Sequence, residues 1–256
     1  MTPRLASLSA SSALATSGAL AAFAALAICA PRMASAAAPT SATLSASLSP
    51  DRPLARGQLS VTIHYSGGEF GVPTPVRKTV LRFPAGLSIA IPLLRSCSPS
   101  RLRTHGPSAC PRQSRLGGGT ALVETHPASQ TITEHVALSA FVGPPHRLQP
   151  TVELLGQGQT PLDLRLVVGG TVQAGPPPYG EQLVLNIPPI PTLALEPDAS
   201  LAELSLTVGA RPGAGKHANA ILMPRHCPAG GFLFAGEFTY ADGSAGSATT
   251  TVPCPT

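Results

Sequence analysis

The chain has 256 residues, of which 17 are basic and 12 acidic, and its formal net charge at neutral pH is +5. Nucleic-acid-binding proteins cluster their positive charge and interleave it with aromatic side chains, whereas this chain has scattered arginines, no Trp, three Tyr and seven Phe. The composition therefore argues against nucleic acid as a partner. The length is ample for one sizeable hydrophobic core or two small ones.

The first 36 residues have the organisation of a secretory signal peptide. Arg4 supplies an early positive charge, residues 13–30 form a run of mainly alanine and leucine, and Ala34-Ser35-Ala36 matches the A-x-A pattern that signal peptidase reads. We expect cleavage after Ala36 and export from the cytoplasm. The mature chain would have 220 residues and a net charge of +3, because Arg4 and Arg32 leave with the leader.

Two other interpretations of the leader are weaker. A retained membrane anchor would need roughly 20 strongly apolar residues, whereas this run is shorter, rich in alanine and followed by a cleavage site. Cys29 would carry a lipid only after a small residue, and Ile28 stands there. We therefore expect no transmembrane segment after cleavage.

Alternation of apolar and polar residues predicts strands along most of the remaining chain. Residues 37–50 are expected to be a flexible lead-in that becomes a first strand around residues 42–48. From Leu59 to Tyr65 every second residue is apolar or aromatic, which is the pattern of a half-buried strand. Similar alternation predicts strands over residues 77–83, 131–141, 161–168, 182–187 and 201–208.

One helical turn is predicted, directly after Cys97. Ser98 can cap its N-terminus, Pro99 suits the first helical position, and Gly106 can end it. Gly117-Gly118-Gly119 lacks the spacing of a dinucleotide-binding loop and is expected to be a turn.

The C-terminal part of the chain predicts a β-hairpin. Aromatic residues from Phe232 to Tyr240 share one face of a strand, and a threonine-rich strand returns through residues 249–252. Asp242-Gly243 between them is typical of a two-residue hairpin turn, because such turns need positive φ at their central residues. The aromatic face is expected to be core.

The number and spacing of these segments predict the fold class. About ten short strands, with proline and glycine between them and no alternation of strands with helices, are typical of an all-β protein. We expect an antiparallel β-sandwich, immunoglobulin-like or related, over residues 39–256, with loops stapled by disulfides. The proline-rich stretch at 188–197 is the best candidate for a boundary between two subdomains.

Four cysteines follow the leader: Cys97, Cys110, Cys227 and Cys254. An even number of cysteines after an export signal indicates disulfides, and four cysteines permit three connectivities. We favour Cys97 with Cys110 and Cys227 with Cys254 because each pairing is local. His105 and His226 lie near these cysteines, but the spacings of a zinc site are absent, so no metal site is predicted.

Two groups of motifs resemble those of a known family. The first comprises Cys97-Ser98, Leu102, Gly106-Pro107-Ser108-Ala109-Cys110-Pro111, Ser114, Leu116-Gly117 and Gly119, and the second comprises Cys227-Pro228, Gly231-Phe232, Phe238-Thr239-Tyr240, Asp242-Gly243-Ser244 and Val252-Pro253-Cys254-Pro255. They are similar to motifs of uncharacterised exported β-rich proteins from high-GC actinobacteria, and the likeness covers most of residues 76–256. The resemblance implies export and an immunoglobulin-like or related β-sandwich, and it assigns no activity and no functional residues.

The sequence predicts no catalytic or cofactor-binding residue. Residues 209–217 resemble a phosphate-binding loop, but Ala210 and His217 stand where the pattern needs Gly and Ser or Thr. There is no G-x-S-x-G motif, and Glu134 and His135, as neighbours on a strand, face opposite sides. We expect a secreted, non-enzymatic binding or structural module of the cell surface or extracellular space. The alternative is a secreted hydrolase whose site is assembled from distant loops.

A basic patch around the first two cysteines is the candidate interaction surface. It consists of Arg95, Arg101, Arg103, Arg112 and Arg115, and no acidic residue occurs from 71 to 123. Arginine binds phosphate and carboxylate groups through its planar fork. The patch predicts contact with an anionic cell-envelope polymer or another surface protein, against the plainer interpretation of a solvated loop.

Overall fold

The computed structural model describes residues 38–50, 52–89, 91, 95–159, 164–192, 198–209 and 221–254. The predicted signal peptide lies outside these residues, as do the phosphate-loop-like segment after Gly209 and residues 193–197 of the proposed boundary at 188–197. Residues Ala37–Thr256 form one compact unit.

Within the described residues the chain forms thirteen strands and one short α-helix. The strands are β1 (Ala38–Ser49), β2 (Arg56–Gly68), β3 (Val76–Pro84), β4 (Ser88–Ile89), β5 (Arg115–Thr125), β6 (Ile132–His146), β7 (Gln149–Gly158), β8 (Leu164–Ala174), β9 (Tyr179–Asn186), β10 (Ser200–Gly209), β11 (Ile221–Leu222), β12 (Phe232–Tyr240) and β13 (Ala245–Val252). The helix α1 spans Pro99–His105, and 3₁₀ turns follow at Pro107–Ala109, Arg112–Ser114 and Pro127–Ser129. The all-β, antiparallel prediction is confirmed.

The strands form one curled antiparallel sheet in the order β1-β2-β10-β5-β6-β7-β8-β9-β3-β12-β13, and the short strands β4 and β11 extend it beside the start of β2. Because the sheet curls, β1 lies near β13. Tyr65 on β2 packs edge-on against Phe238 on β12, with ring centroids 5.2 Å apart. The inner face of the sheet therefore encloses the main hydrophobic core.

The predicted flexible lead-in is wrong. Strand β1 begins at Ala38, and residues 38–41 pair with the far end of β2, where Ala38 lies opposite Gly68 and Ser41 opposite Ser66. Small polar and alanine residues suffice here because pairing with β2 supplies the hydrogen bonds that hold the segment extended.

The predicted turn at Gly117-Gly118-Gly119 is also wrong, because these residues lie inside β5 between β6 and β10. A Cβ atom at Gly117 would overlap the carbonyl oxygen of Thr207, and one at Gly119 would overlap that of Ser205. The glycines therefore allow β10 to approach β5 closely, a role that sequence pattern alone does not distinguish from a turn.

The C-terminal hairpin is confirmed, but its turn has three residues. Thr239 lies opposite Ala245, and the Tyr240 amide donates to the Ser244 carbonyl oxygen. Gly243 has φ of 84°, and Asp242 Oδ1 accepts from the Ser244 amide at 2.8 Å. A three-residue loop ending in a left-handed glycine is a common hairpin connection.

Candidate functional site

The structure contains both disulfides in the local pairing. Cys97 is bonded to Cys110, and Cys227 is bonded to Cys254. The second bridge joins the segment before β12 to the end of β13. The first bridge closes residues 97–110, which carry Arg101 and Arg103. Together with the 3₁₀ turn at Arg112–Ser114, we call residues 97–114 the disulfide loop.

Local capping folds the disulfide loop as the sequence predicts. The Ser98 side chain accepts from the Arg101 amide, Pro99 occupies the first turn of α1, and Gly106, with φ of 75°, ends the helix. The Gly106 amide donates to the Leu102 carbonyl oxygen at 3.0 Å. The predicted helical turn is confirmed.

The disulfide loop lies on the outer face of the sheet, where it has a small core of its own. Leu102 is fully buried beside Cys97 and Cys110, and it packs with Phe141 of β6 and Leu155 of β7. The Cys97 amide donates to the Val142 carbonyl oxygen at 2.8 Å, so the start of the loop is tied to the end of β6. These contacts hold the loop against the outer face at β6, β7 and β8.

Glu153 of β7 is buried and interacts electrostatically with Arg103 of this loop. Its side chain lies between Gly143 of β6 and Gly169 of β8, since a Cβ at Gly143 would stand 2.8 Å from Oε1 and one at Gly169 would stand 3.5 Å from Oε2. Its register partners are Phe141 on β6 and Gly169 on β8. Burial raises the pKa of Glu153 to about 7, and the nearby Arg103 guanidinium opposes this rise. The carboxyl group is therefore only partly ionised at neutral pH.

We expect Glu153→Gln to change the pH dependence of stability. The folded-state pKa lies above the ordinary glutamate value of about 4.3, so the folded protein keeps a proton that the unfolded chain has already released. The stability from this proton is complete below about pH 4 and is lost as the pH rises through about 7. Between these limits the free energy of unfolding of the wild type, measured in urea, should fall relative to that of Glu153→Gln.

Glu69→Gln, which alters an exposed carboxylate, is the matched control and should follow the wild-type profile. Parallel pH profiles for the wild type and Glu153→Gln would show that the Glu153 carboxyl group does not retain a proton in the folded state.

The five predicted arginines are exposed. They are Arg95, Arg101, Arg103, Arg112 and Arg115, and four of them lie in or directly after the disulfide loop. Arg165 of β8 joins them, because its Nη1 donates to the Arg103 carbonyl oxygen at 3.4 Å. Sequence reasoning missed Arg165 and Glu153, since neither lies in the loop or in a recognisable motif.

The described histidines are dispersed. His64 Nδ1 is 3.9 Å from Glu203 Oε2 on neighbouring strands. His126 Nδ1 lies 3.0 Å from Thr131 Oγ1, and its ring stacks on the exposed ring of Phe70. Among the residues the structure describes, no group of three or more His, Cys, Asp or Glu side chains is arranged to hold a metal ion. None of the described helices is long and apolar enough to cross a membrane.

Comparison of the chain with protein-family models gives no match, and comparisons with curated proteins and with solved structures give none either.

Proposed function

We propose that this chain is an exported, non-enzymatic module that binds an anionic component of the cell envelope through the arginines of the disulfide loop. The observation that carries the proposal is the fixed presentation of these arginines. The bridge, the helix cap and the buried Leu102 hold the loop on the sheet, so the guanidinium groups stand on an ordered surface. An ordered surface loses less conformational entropy on binding than a mobile loop would.

The charge balance beneath the loop favours an anionic partner. The carboxyl group that faces the loop, Glu153, is buried, and its raised pKa leaves it partly protonated at neutral pH. It therefore offsets only part of the positive charge. Arg103 is the arginine electrostatically coupled to Glu153, so Arg101 and Arg112 are the better candidates for contacts with a partner.

The same proposal includes export from the cytoplasm and a more specific fold class. Two disulfides suit an oxidising compartment outside the cytoplasm, which supports secretion or location at the cell surface. We assign the curled sheet to the sandwich-like class, immunoglobulin-like or related, because its opposite halves pack face to face through Tyr65 and Phe238. The dispersal of the described histidines favours a binding module over the alternative hydrolase.

The proposal predicts salt-dependent binding that depends on two named arginines. The exported protein should sediment with purified cell envelope at about 50 mM salt and be released at about 500 mM, where the Debye length is only a few ångströms. The Arg101→Ser, Arg112→Ser double variant should bind about fivefold less at low salt, since each exposed contact contributes a few tenths of a kcal/mol to about 1 kcal/mol.

The matched control is Arg52→Ser with Arg225→Ser, which removes the same charge from exposed positions outside the disulfide loop. The control should bind as the wild type does. Retention that is independent of salt, or an equal loss in both double variants, would refute the role of the loop.

A further inference from the structure

The turn between β6 and β7 holds two residues in the left-handed region of backbone conformation. His146 lies opposite Gln149, so Arg147 and Leu148 are the two central residues of the turn. Their φ angles are 48° and 67°. A two-residue hairpin turn of this kind favours asparagine and glycine, because a Cβ atom makes positive φ costly. Turn geometry alone therefore does not account for an arginine and a leucine at these positions.

The side chain of Leu148 projects into solvent. It is 98% exposed, the highest value among the exposed large apolar residues of the part of the chain that the structure describes. A singly exposed leucine is common on protein surfaces. Here full exposure coincides with a strained backbone, and residues held in such strain are concentrated at functional sites.

The strands on both sides hold this turn rigidly. Pro144 and Pro145 end β6 just before it, and Pro150 follows it in β7. Proline fixes φ and so stiffens both strands of the hairpin. Thr151 Oγ1 also donates to the Pro144 carbonyl oxygen at 2.8 Å. Leu148 therefore stands on a rigid support and loses little conformational entropy when its side chain enters an apolar phase.

The turn lies beside the segment that leads into the disulfide loop. Leu148 and Pro150 line one cleft together with Ile91 and Ser96. Ser96 directly precedes Cys97, whose amide donates to Val142 at the end of β6. The exposed leucine and the start of the loop are therefore neighbours on the surface.

Positive charge accompanies the exposed leucine. Arg147 precedes Leu148 in the turn, and the exposed Arg95 precedes Ser96 of the cleft. Among the described residues neither arginine pairs with a carboxylate, and residues 135–152 contain no acidic residue. An apolar side chain beside cations complements an anionic bilayer, in which hydrocarbon lies beneath a layer of phosphate groups.

We propose that the β6–β7 turn docks on an anionic lipid bilayer. Leu148 enters the hydrocarbon, and Arg147 and Arg95 contact the phosphates of the lipid headgroups. This inference rests on the proposed function, because it names a lipid bilayer as the anionic component of the cell envelope. It adds an attachment point outside the disulfide loop.

The test measures sedimentation of the exported protein with phosphatidylcholine vesicles that contain or lack phosphatidylglycerol. The wild type should bind the anionic vesicles about tenfold more tightly than the neutral ones. On anionic vesicles, Leu148→Ser should bind about tenfold more weakly, because it loses the transfer of an apolar side chain out of water. Arg147→Ser should bind about fivefold more weakly, since one cation near the membrane surface is lost.

Insertion of the leucine has its own readout. A spin label in the acyl chains of the anionic vesicles should broaden the methyl NMR signals of Leu148, because these methyl groups then lie in the hydrocarbon. Adsorption through the arginines alone would leave the signals sharp and would contradict the insertion.

Phe70→Ser is the matched control. Phe70 is also apolar, is 69% exposed and has φ of 56°. It stacks on His126, in the turn before β6, whereas Leu148 lies in the turn after β6. The two substitutions therefore remove an exposed apolar side chain at positive φ from opposite ends of one strand. Phe70→Ser should bind anionic vesicles as the wild type does.

Equal losses in Leu148→Ser and Phe70→Ser would overturn the proposal, as would equal binding of the wild-type protein to neutral and anionic vesicles. Equal retention on intact and on lipid-extracted envelope would also overturn it, and would leave the arginines of the disulfide loop as the binding surface for a polymer. Full envelope binding by Arg101→Ser, Arg112→Ser, with vesicle binding lost in Leu148→Ser, would support the turn and refute the loop.

Discussion

Phe238→Ala should lower the free energy of unfolding by about 4 kcal/mol, the range observed when a buried phenylalanine is truncated in a core. Phe238 is 1% exposed, and its ring packs edge-on against Tyr65 from the opposite half of the sheet. The substitution removes both the apolar burial and the contact that joins the two halves. Urea denaturation monitored by circular dichroism measures the loss.

Phe70→Ala is the matched control, since it removes the same side chain from a residue that is 69% exposed. The loss should be about 1 kcal/mol or less, because only the stacking on His126 disappears. Equal losses in the two variants would contradict the assignment of the Tyr65–Phe238 contact to the core.

Removal of the Cys97–Cys110 bridge, by changing both residues to Ser, should cost about 3 kcal/mol, the entropy of closing a loop of this length. The loss should also be visible locally. The Leu102 side chain is held in place by the bridge and by Phe141. Hydrogen exchange at the Gly106 amide, which donates to Leu102, should therefore accelerate in the variant.

The double variant Cys227→Ser, Cys254→Ser provides the comparison. It should lose slightly more stability, since its loop is longer. It should retain slow exchange at Gly106, because its bridge lies just after the end of β13. A Gly106 exchange rate equal to that of the wild type in the Cys97→Ser, Cys110→Ser variant would show that α1 stays folded without its disulfide.

Features that depend on neighbouring residues could be predicted from the sequence. The alternation in β2 is confirmed by the burial of Leu59, Ile63 and Tyr65 on one face. The helix after Cys97 is capped by Ser98 and Gly106 as predicted, because capping uses groups within a few residues of each other. The C-terminal hairpin could be predicted for the same reason, although the sequence predicted a two-residue turn and the structure has a three-residue turn.

Strand β7 was not predicted, because its residues do not alternate. From Thr151 to Leu155 both faces are buried, since one faces the main core and the other lies under the disulfide loop. A strand covered on both sides reads as a continuous apolar run, which pattern alone does not distinguish from other buried segments. The same cover buries Glu153, so the candidate site was only partly predictable.

Sequence patterns predicted the all-β class, the positions of most strands and the helix cap, because each depends on the chemistry of residues that are close along the chain. They favoured the local cysteine pairs without excluding the other two connectivities. Which glycines belong to strands, where the disulfide loop packs, and which carboxylates become buried depend on tertiary contacts. Gly119 is needed because the Ser205 carbonyl oxygen lies so close that a Cβ would overlap it, and Glu153 interacts with Arg103, fifty residues earlier in the chain. Such contacts join residues that are far apart in sequence, so the pattern of neighbouring residues does not predict them.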